Sequence, residues 1–454
     1  MLASFCWASI VKTSLAKLSL SAQVCGLVDE IGIGKSRRAV RRSLLVDRDT
    51  GLLHELPTVF VLRQLGQKSR NTQRAVLYDL AFYLEWTQLK KTRSNAWKNP
   101  QTRLRSGAPA LSEREIINLG TWCQSTSEDL VRARQRERGN IRMLASNGVE
   151  SSTTNRRLKN ICRYLVWLTK EMVEGNLNLS DQSISKSFYF QEELESVFAS
   201  QMSAQKKAAP VSSLTREEAK AVRNSLNSPD FFPETPAGRR DRLIGRLLLD
   251  SGLRAGELLK LQCGDIIDNY VLEKGKTVAI VKVIRRPNDS ADERLSEPAV
   301  KTLPGPISIN KNLGSDLISY VIGDRRNAVD RRAEGRETPY LFVCHSGTRT
   351  GKPISQRNLS RIVSKLRASA NVPNSLSPHT LRHTHFTELA DSCAASGKDA
   401  STTQDVLRVR GHWSPHSKSP QRYTTGFTVK LEANYMEERD RQLENNNVNE
   451  DEKR

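Results

Sequence analysis

Five residues in the C-terminal half of the chain constrain it more than anything else: Arg254, His379, Arg382, His412 and Tyr423. They stand in Gly252-Leu253-Arg254-Ala255-Gly256-Glu257, Pro378-His379-Thr380-Leu381-Arg382-His383, Gly411-His412-Trp413 and Gln421-Arg422-Tyr423-Thr424. Arginine suits a phosphate clamp, because its planar fork donates two hydrogen bonds and keeps its charge. Histidine moves protons near neutral pH, and a tyrosine hydroxyl can act as a nucleophile. Together these groups can grip a phosphodiester and attack it.

Local sequence places each residue at the end of a helix. An apolar helix carrying Leu243, Ile244, Leu247, Leu248 and Leu249 stops at Ser251-Gly252, and Arg254 opens the next one, Ala255–Leu261. Ser377-Pro378 is a helix start, with serine as N-cap and proline in the first turn. The i, i+3 spacing then sets His379 and Arg382 on one face near the positive end of that helix, which favours an anion. His383 and His385 stand close by. A histidine cluster can instead bind metal, but no acid or cysteine joins it at short spacing, so no metal and no cofactor is expected. Gly411 is a helix C-cap before His412, and Tyr423 follows 11 residues later, since 423 − 412 = 11. Tyr435 is the fallback nucleophile, in a more acidic context.

The chain has 454 residues, with 71 Lys and Arg against 50 Asp and Glu, a formal charge of +21. That excess points to a polyanionic partner, and double-stranded DNA is the first candidate. Seven scattered cysteines form no Cys-x-x-Cys pair, which argues against a disulfide framework or zinc ribbon and fits a reducing cytoplasm. No stretch is apolar enough to span a bilayer. Gly34-Lys35-Ser36 is a decoy: a phosphate-binding loop needs glycine where Asp29 stands. Residues 1–28 resemble a transit peptide in part, but Lys12 and Lys17 interrupt the apolar run, and an N-terminal arm helix or an over-extended start is expected.

The expected class is mainly α with a small β-hairpin or sheet. Residues 1–54 form an N-terminal arm or uncertain segment, and 55–205 a helical domain. Residues 206–213, small, charged and Pro-containing, read as a linker. Residues 214–440 form a mixed α/β domain and 441–454 an acidic tail. In the helical domain, residues 71–89 carry apolar residues close to one face, Ser112 and Glu115 fit a capping box, and Ser152 or Thr153 caps a third helix. Arg156, Arg157 and Lys159 lie mostly opposite that helix's apolar face and are expected to contact DNA. An Arg-rich insertion covers 127–145 and a further helix 190–203. Thr215 is an N-cap. The clearest strand is Thr277–Ile284, and a second extended run, Ala299–Ile309, carries prolines that suit only an edge.

These motifs resemble the tyrosine recombinases, or phage-type integrases, over roughly residues 55 to 440. The resemblance implies that 55–205 is a core-binding domain closing over one side of a duplex and that 214–440 is the catalytic domain. It implies Tyr423 as nucleophile, forming a 3′-phosphotyrosyl link, and Arg254, Arg382 and His412 as stabilisers of the phosphorane. His379 would assist proton transfer, and Glu257 would support the first arginine. Lys301, in Ala299-Val300-Lys301-Thr302, would protonate the leaving 5′-oxygen, although Lys282 or Arg286 could intrude from the first strand. Arg285, Arg286 and Arg294 would track the DNA backbone. The family acts without metal or ATP as a homotetramer on two DNA sites, at times with accessory proteins, in a nucleoid-associated setting. Two other readings remain open: a DNA-binding protein that keeps the fold without turnover, and a relaxing topoisomerase. A metal-dependent nuclease is more distant.

Overall fold

The computed structural model describes residues 22–33, 36–93, 97–126, 129, 148–174, 181–204, 213–272, 275–287, 289, 291–294, 296–332, 337–368, 372–424, 436–437, 439 and 441. Most of the expected linker, most of the Arg-rich insertion, Tyr435 and most of the acidic tail lie outside them. Chain contacts divide the molecule into two compact units, Met1–Ala209 and Pro210–Arg454.

The N-terminal unit opens with an antiparallel ribbon, β1 (Ala22–Ile33) and β2 (Ser36–Asp47), whose ends pair Ala22 with Asp47 and Ile33 with Ser36. Residues 22–28 are thus strand where an arm helix was expected. The base of β2 is fixed to the helices: the Leu45 N–H donates to Thr58 Oγ1 at 3.1 Å, and Leu45 is buried. Among the described residues six helices follow: α1 (Glu55–Leu65), α2 (Arg70–Arg93), α3 (Pro100–Arg105), α4 (Glu113–Cys123), α5 (Ser151–Glu174) and α6 (Asp181–Ser200). Ser112 and Glu115 form the capping box, with Glu115 Oε2 accepting the Ser112 N–H at 2.8 Å. Helix α5 begins at Ser151, so Ser152 and Thr153 lie in its first turn, and α6 begins nine residues before the expected 190. Phe60, Leu77, Leu80, Tyr83, Trp86, Leu158, Tyr164 and Trp167 fill the core between α1, α2 and α5.

The second unit runs α7 (Arg216–Asn227), α8 (Pro236–Ser251), α9 (Ala255–Lys260), β3 (Ile266–Val271), β4 (Thr277–Val283), β5 (Gly305–Ile309), α10 (Lys311–Tyr320), α11 (Arg326–Asp330), α12 (Gln356–Lys365), α13 (Pro378–Ala395) and α14 (Ala400–Gly411). Thr215 caps α7, with Glu218 closing the box. The three strands form one antiparallel sheet in the order β3-β4-β5, so Pro306 stands on an edge strand, where a missing N–H costs nothing. The second extended run is strand only from Gly305; residues 299–304 are irregular. Ala279, Val281 and Val283 of β4 point inward onto Leu313 and Leu317 of α10 and the apolar face of α8.

The long segment between β4 and β5 is held by buried charge. Lys260 Nζ lies 2.5 Å from Glu297 Oε1 and 3.0 Å from Asp292 Oδ2. Arg294 pairs with both oxygens of Asp292 and donates to the carbonyls of Leu259 and Ile354. Burial alone would raise the Asp292 carboxyl, yet Arg294 and Lys260 hold it at about 2. Arg294 is therefore a buried anchor rather than a residue that tracks DNA.

Two predictions arise from these buried groups. Lys260 is 2% exposed and Asp292 0%. Lys260→Met strands carboxylates in the interior, and should cost about 3–5 kcal/mol in the denaturant midpoint of the C-terminal unit; a cost under about 1 kcal/mol would show that the cluster relaxes or admits water. The second concerns acid. Burial pushes His385 down to about 3 and His345 to about 4, so both rings are neutral in the fold. The unfolded chain takes up protons near the usual 6.5, so the stability these rings add is present above that value and is lost as pH falls toward about 4. Unfolding midpoints should drop between about pH 7 and about pH 5, above the carboxylate range, and less so in His385→Asn; a flat midpoint across that interval would contradict the assignment.

Candidate active site

Helix α8 ends at Gly252, whose φ of +68° is a left-handed conformation that favours glycine. The turn places Arg254 as the N-cap residue of α9. Its N–H donates to Glu257 Oε2 at 2.8 Å and its guanidinium to Glu257 Oε1 at 3.2 Å. The Arg254 side chain is 30% exposed and Glu257 is buried, so the acid orients an arginine whose outer face meets solvent.

Helix α13 starts as expected, with Ser377 Oγ accepting the Thr380 N–H at 3.1 Å. It carries Arg382 inward. Arg382 donates to the Gly252 carbonyl at 2.5 Å and the Gly411 carbonyl at 3.2 Å, and lies 3.7 Å from Glu257 Oε2. Its guanidinium carbon sits over the rings of Phe386 (4.6 Å) and Trp413 (5.2 Å). Burial, reinforced by Arg254, lowers it to about 10, so it stays charged at neutral pH.

His412 follows α14 in the left-handed region, φ 49°. Its Nε2 lies 3.2 Å from the Pro306 carbonyl, which can only accept, so the proton of a neutral ring sits on Nε2. Gly305 makes room for the ring: a Cβ there would stand 2.8 Å from Nε2. Burial lowers the His412 pKa, while the Pro306 carbonyl and Glu257 oppose that shift.

Lys301 is exposed on an immobilised backbone. Arg285 donates to the carbonyls of Lys301 and Thr302. Thr302 Oγ1 donates to Glu257 Oε1 at 2.6 Å, and the Leu303 N–H donates to the His412 carbonyl at 3.0 Å. The segment is thereby joined to the Arg254 support on one side and to His412 on the other. Lys282 is exposed on β4, opposite Pro306.

Tyr423 is part-buried, its ring stacked on Trp413 (5.9 Å, 22°) and beside Phe386 (5.4 Å). Its Oη lies 2.9 Å from His383 Nδ1, and His383 Nε2 lies 3.0 Å from His379 Nε2. Burial raises the phenol, against the lowering influence of Arg382, Arg254 and Arg422. Burial also lowers His379, with Arg382, Arg254 and Arg422 adding to the effect, and lowers His383 to about 4. His385 faces the other way, bonded to the Leu249 carbonyl and to Arg410. The three histidines are thus divided between two environments, and among the described residues no three His, Cys, Asp or Glu side chains converge as a metal site.

The structure brings Arg254, Glu257, His379, Arg382 and Tyr423 into one constellation, with His412 and the Lys301 segment tied to its edges. The sequence reading missed His383, Trp413, Thr302 and Gly305. His383 carried a usable signal, the i, i+4 spacing from His379 on one helix face. Besides Arg294, two more residues expected on DNA are held within the fold. Arg286 is bidentate to buried Asp265. Arg157 donates to the carbonyls of Cys123 and Ser125 and covers the Phe82 ring at 3.9 Å. Both had looked free because their partners are remote in sequence. Arg156 is half-exposed but paired with buried Asp79, and Lys159 is exposed.

Residues 212–425 match the family model described as "Phage integrase family". The tyrosine recombinase XerC of Syntrophus aciditrophicus is 30% identical over 223 residues, 46% of this chain and 56% of that protein. The tyrosine recombinase XerD of Staphylococcus haemolyticus is 26% identical over 182 residues, 40% and 50% respectively. The virulence plasmid integrase pGP8-D of Chlamydia trachomatis serovar L2 is 26% identical over 201 residues, 44% and 48%. The matched region spans about half the length of these relatives. The region that holds Arg254, His379, Arg382, His412 and Tyr423 is thus the one that matches the phage integrase family and is similar to the tyrosine recombinases.

Proposed function

We propose that the protein is a site-specific DNA recombinase or integrase that breaks and rejoins strands through a 3′-phosphotyrosyl intermediate, in the integration or excision of a mobile element. The observation that carries this reading is the placement of the Tyr423 hydroxyl within hydrogen-bond reach of an imidazole and within the electrostatic influence of Arg382, Arg254 and Arg422. Tyr423 attacks phosphorus. Arg254, Arg382 and His412 stabilise the charge that builds on the nonbridging oxygens, acting as fixed donors that need no reorganisation. Of these, Arg382 uses two contacts on backbone carbonyls, and its five N–H groups leave donors for a phosphate. Lys301 protonates the departing 5′-oxygen. The covalent link conserves the phosphodiester's bond energy, so the reaction needs neither ATP nor metal.

Double-stranded DNA is the proposed partner, bound by a homotetramer across two sites, with accessory proteins in some settings. The net charge of +21 supports a polyanionic partner. Lys159, Arg163 and Lys170 are exposed on α5 at spacings of four and seven, which puts them on one helical stripe and makes them the stronger candidates for backbone contact in the N-terminal unit. Residues 55–205 serve as the core-binding domain and 214–440 as the catalytic domain. A cytoplasmic, nucleoid-associated location follows from this reading. No helix among the described residues is long and apolar enough to cross a membrane.

Nicked suicide duplexes with a randomised core, incubated with the protein in EDTA, should yield a covalent adduct on a denaturing gel. Tyr423→Phe should yield none. An adduct that persists in that variant means another nucleophile, and tight binding without any adduct favours a fold kept without turnover. Relaxation of any supercoiled plasmid by a monomer would instead indicate a topoisomerase. Lys301→Ala should slow cleavage by about 100-fold or more, the usual worth of a positioned acid. A substrate with bridging sulfur at the 5′ position, whose thiolate leaves without protonation, should restore most of that loss. Failure to restore it would move the acid role to Lys282 or elsewhere.

A further inference from the structure

His379 is the histidine that the family motif singles out, yet it is not the ring that meets the tyrosine. The Tyr423 hydroxyl contacts Nδ1 of His383 at 2.9 Å, and His379 stands one ring beyond, its Nε2 3.0 Å from His383 Nε2. The imidazoles are 4.3 Å apart between centroids and nearly perpendicular. The His383 ring also lies against the phenol ring, 5.4 Å between centroids. One arrangement of protons runs through the whole chain. Tyr423 Oη–H donates to His383 Nδ1, His383 Nε2–H donates to His379 Nε2, and His379 carries its own proton on Nδ1.

We propose that His383 is the group that receives the Tyr423 proton during attack, and that His379 shares that proton as the second member of a relay. The assignment rests on the recombinase reading above and deepens it. As Tyr423 attacks, the Oη–H bond breaks and the Oη–P bond forms. The phenolic proton passes to His383 Nδ1, and the Nε2 proton of His383 can move on to His379. The P–O5′ bond breaks, and the 5′-oxygen takes a proton from Lys301. The histidine pair ends with one positive charge and Lys301 with one fewer. In rejoining, the incoming 5′-hydroxyl returns its proton to the lysine, and His383 returns the phenolic proton to the leaving tyrosine.

The charges around the pair tie this transfer to DNA. His383 faces His379 and Arg382 on its own helix, and Arg422 and Tyr423 on the segment packed against it. His379 faces Arg382, Arg254 and Arg422. Burial first, and then these cations, oppose a further positive charge, so both rings favour the neutral form that can accept a proton. A phosphodiester held between Arg254 and Arg382 brings a negative charge that offsets that opposition, and the rings become better bases as the substrate arrives. His379 and His383 therefore act together, and the pair should titrate as a unit.

The test uses the full-length chain and a nicked suicide duplex selected from a randomised pool for adduct formation with the wild-type protein. Single-turnover cleavage is followed across pH for wild type, His383→Gln, His383→Ala, His379→Gln and Lys301→Ala, with DNA affinity measured alongside. His383→Gln should bind DNA as wild type does and cleave about 100-fold more slowly. It should lose the acid limb of the pH profile, and added imidazole should restore part of the activity of His383→Ala. The 5′-bridging sulfur substrate, which relieves Lys301→Ala, should leave His383→Gln slow, because the defect lies on the nucleophile's side. Wild-type cleavage by His383→Gln, or its rescue by the sulfur substrate to the extent seen for Lys301→Ala, overturns the assignment. So does loss of DNA binding in both His383 variants without imidazole rescue, which would mark a structural role. Absence of any adduct with the wild-type chain would overturn the recombinase reading itself, and the relay with it.

Discussion

A single buried cation holds the C-terminal site together. Arg382 is 3% exposed, and an isolated guanidinium in that position would be heavily penalised. The surrounding chain offsets the cost from three directions: the carbonyl at the end of α8, the carbonyl at the end of α14, and the carboxylate of Glu257 on α9. The flat faces of Phe386 and Trp413 enclose the rest. Each partner is itself at a helix terminus, where backbone carbonyls lack intrahelical donors. The arginine thus satisfies groups the helices leave over, and in doing so fixes where those helices end. The Arg254 turn, the His412 turn and the Tyr423 ring, stacked on Trp413, all take their positions from elements that Arg382 joins.

Much of this was legible from the sequence because helix ends have local chemistry. Thr215 with Glu218, Ser377 with Pro378, and Gly252 after a leucine-rich run each specify a boundary within a few residues, and the clamp residues sit at such boundaries. Strand β3 was not legible. Asn269 adopts φ 55° and the pairing with β4 slips between Ile267 and Tyr270, so the alternation that signals a strand is broken. Charge gave a mixed guide. Arg286 looked like a cation for DNA because its partner Asp265 lies 21 residues away in sequence, whereas Arg294 pairs with Asp292 only two residues away and is fixed by its burial. His383 posed a subtler difficulty. Its spacing from His379 was visible, but which of the neighbouring histidines turns toward the tyrosine depends on the helix's rotation against a segment 40 residues away.

The buried ion cluster beneath the β4–β5 loop explains how such a long connection can hold Lys301 in a fixed place. Charged groups in an interior accept few geometries, because each lost partner leaves a charge without compensation. Lys260, Asp292, Arg294 and Glu297 therefore act as a rigid footing for a segment whose described residues form no helix or strand, and Lys301 emerges a few residues beyond it.

The stretch 301–303 has a further property. Thr302 is bonded to the carboxylate that orients Arg254, while the next residue's N–H is bonded to the carbonyl of His412. Lifting these three residues away from the surface cuts both bonds together. The lysine leaves, the first arginine loses part of its support and the last histidine loses its neighbour in one motion. The assembly behaves like a latch with two catches on a single bar: whatever shifts this stretch is felt at Arg254 and at His412 together.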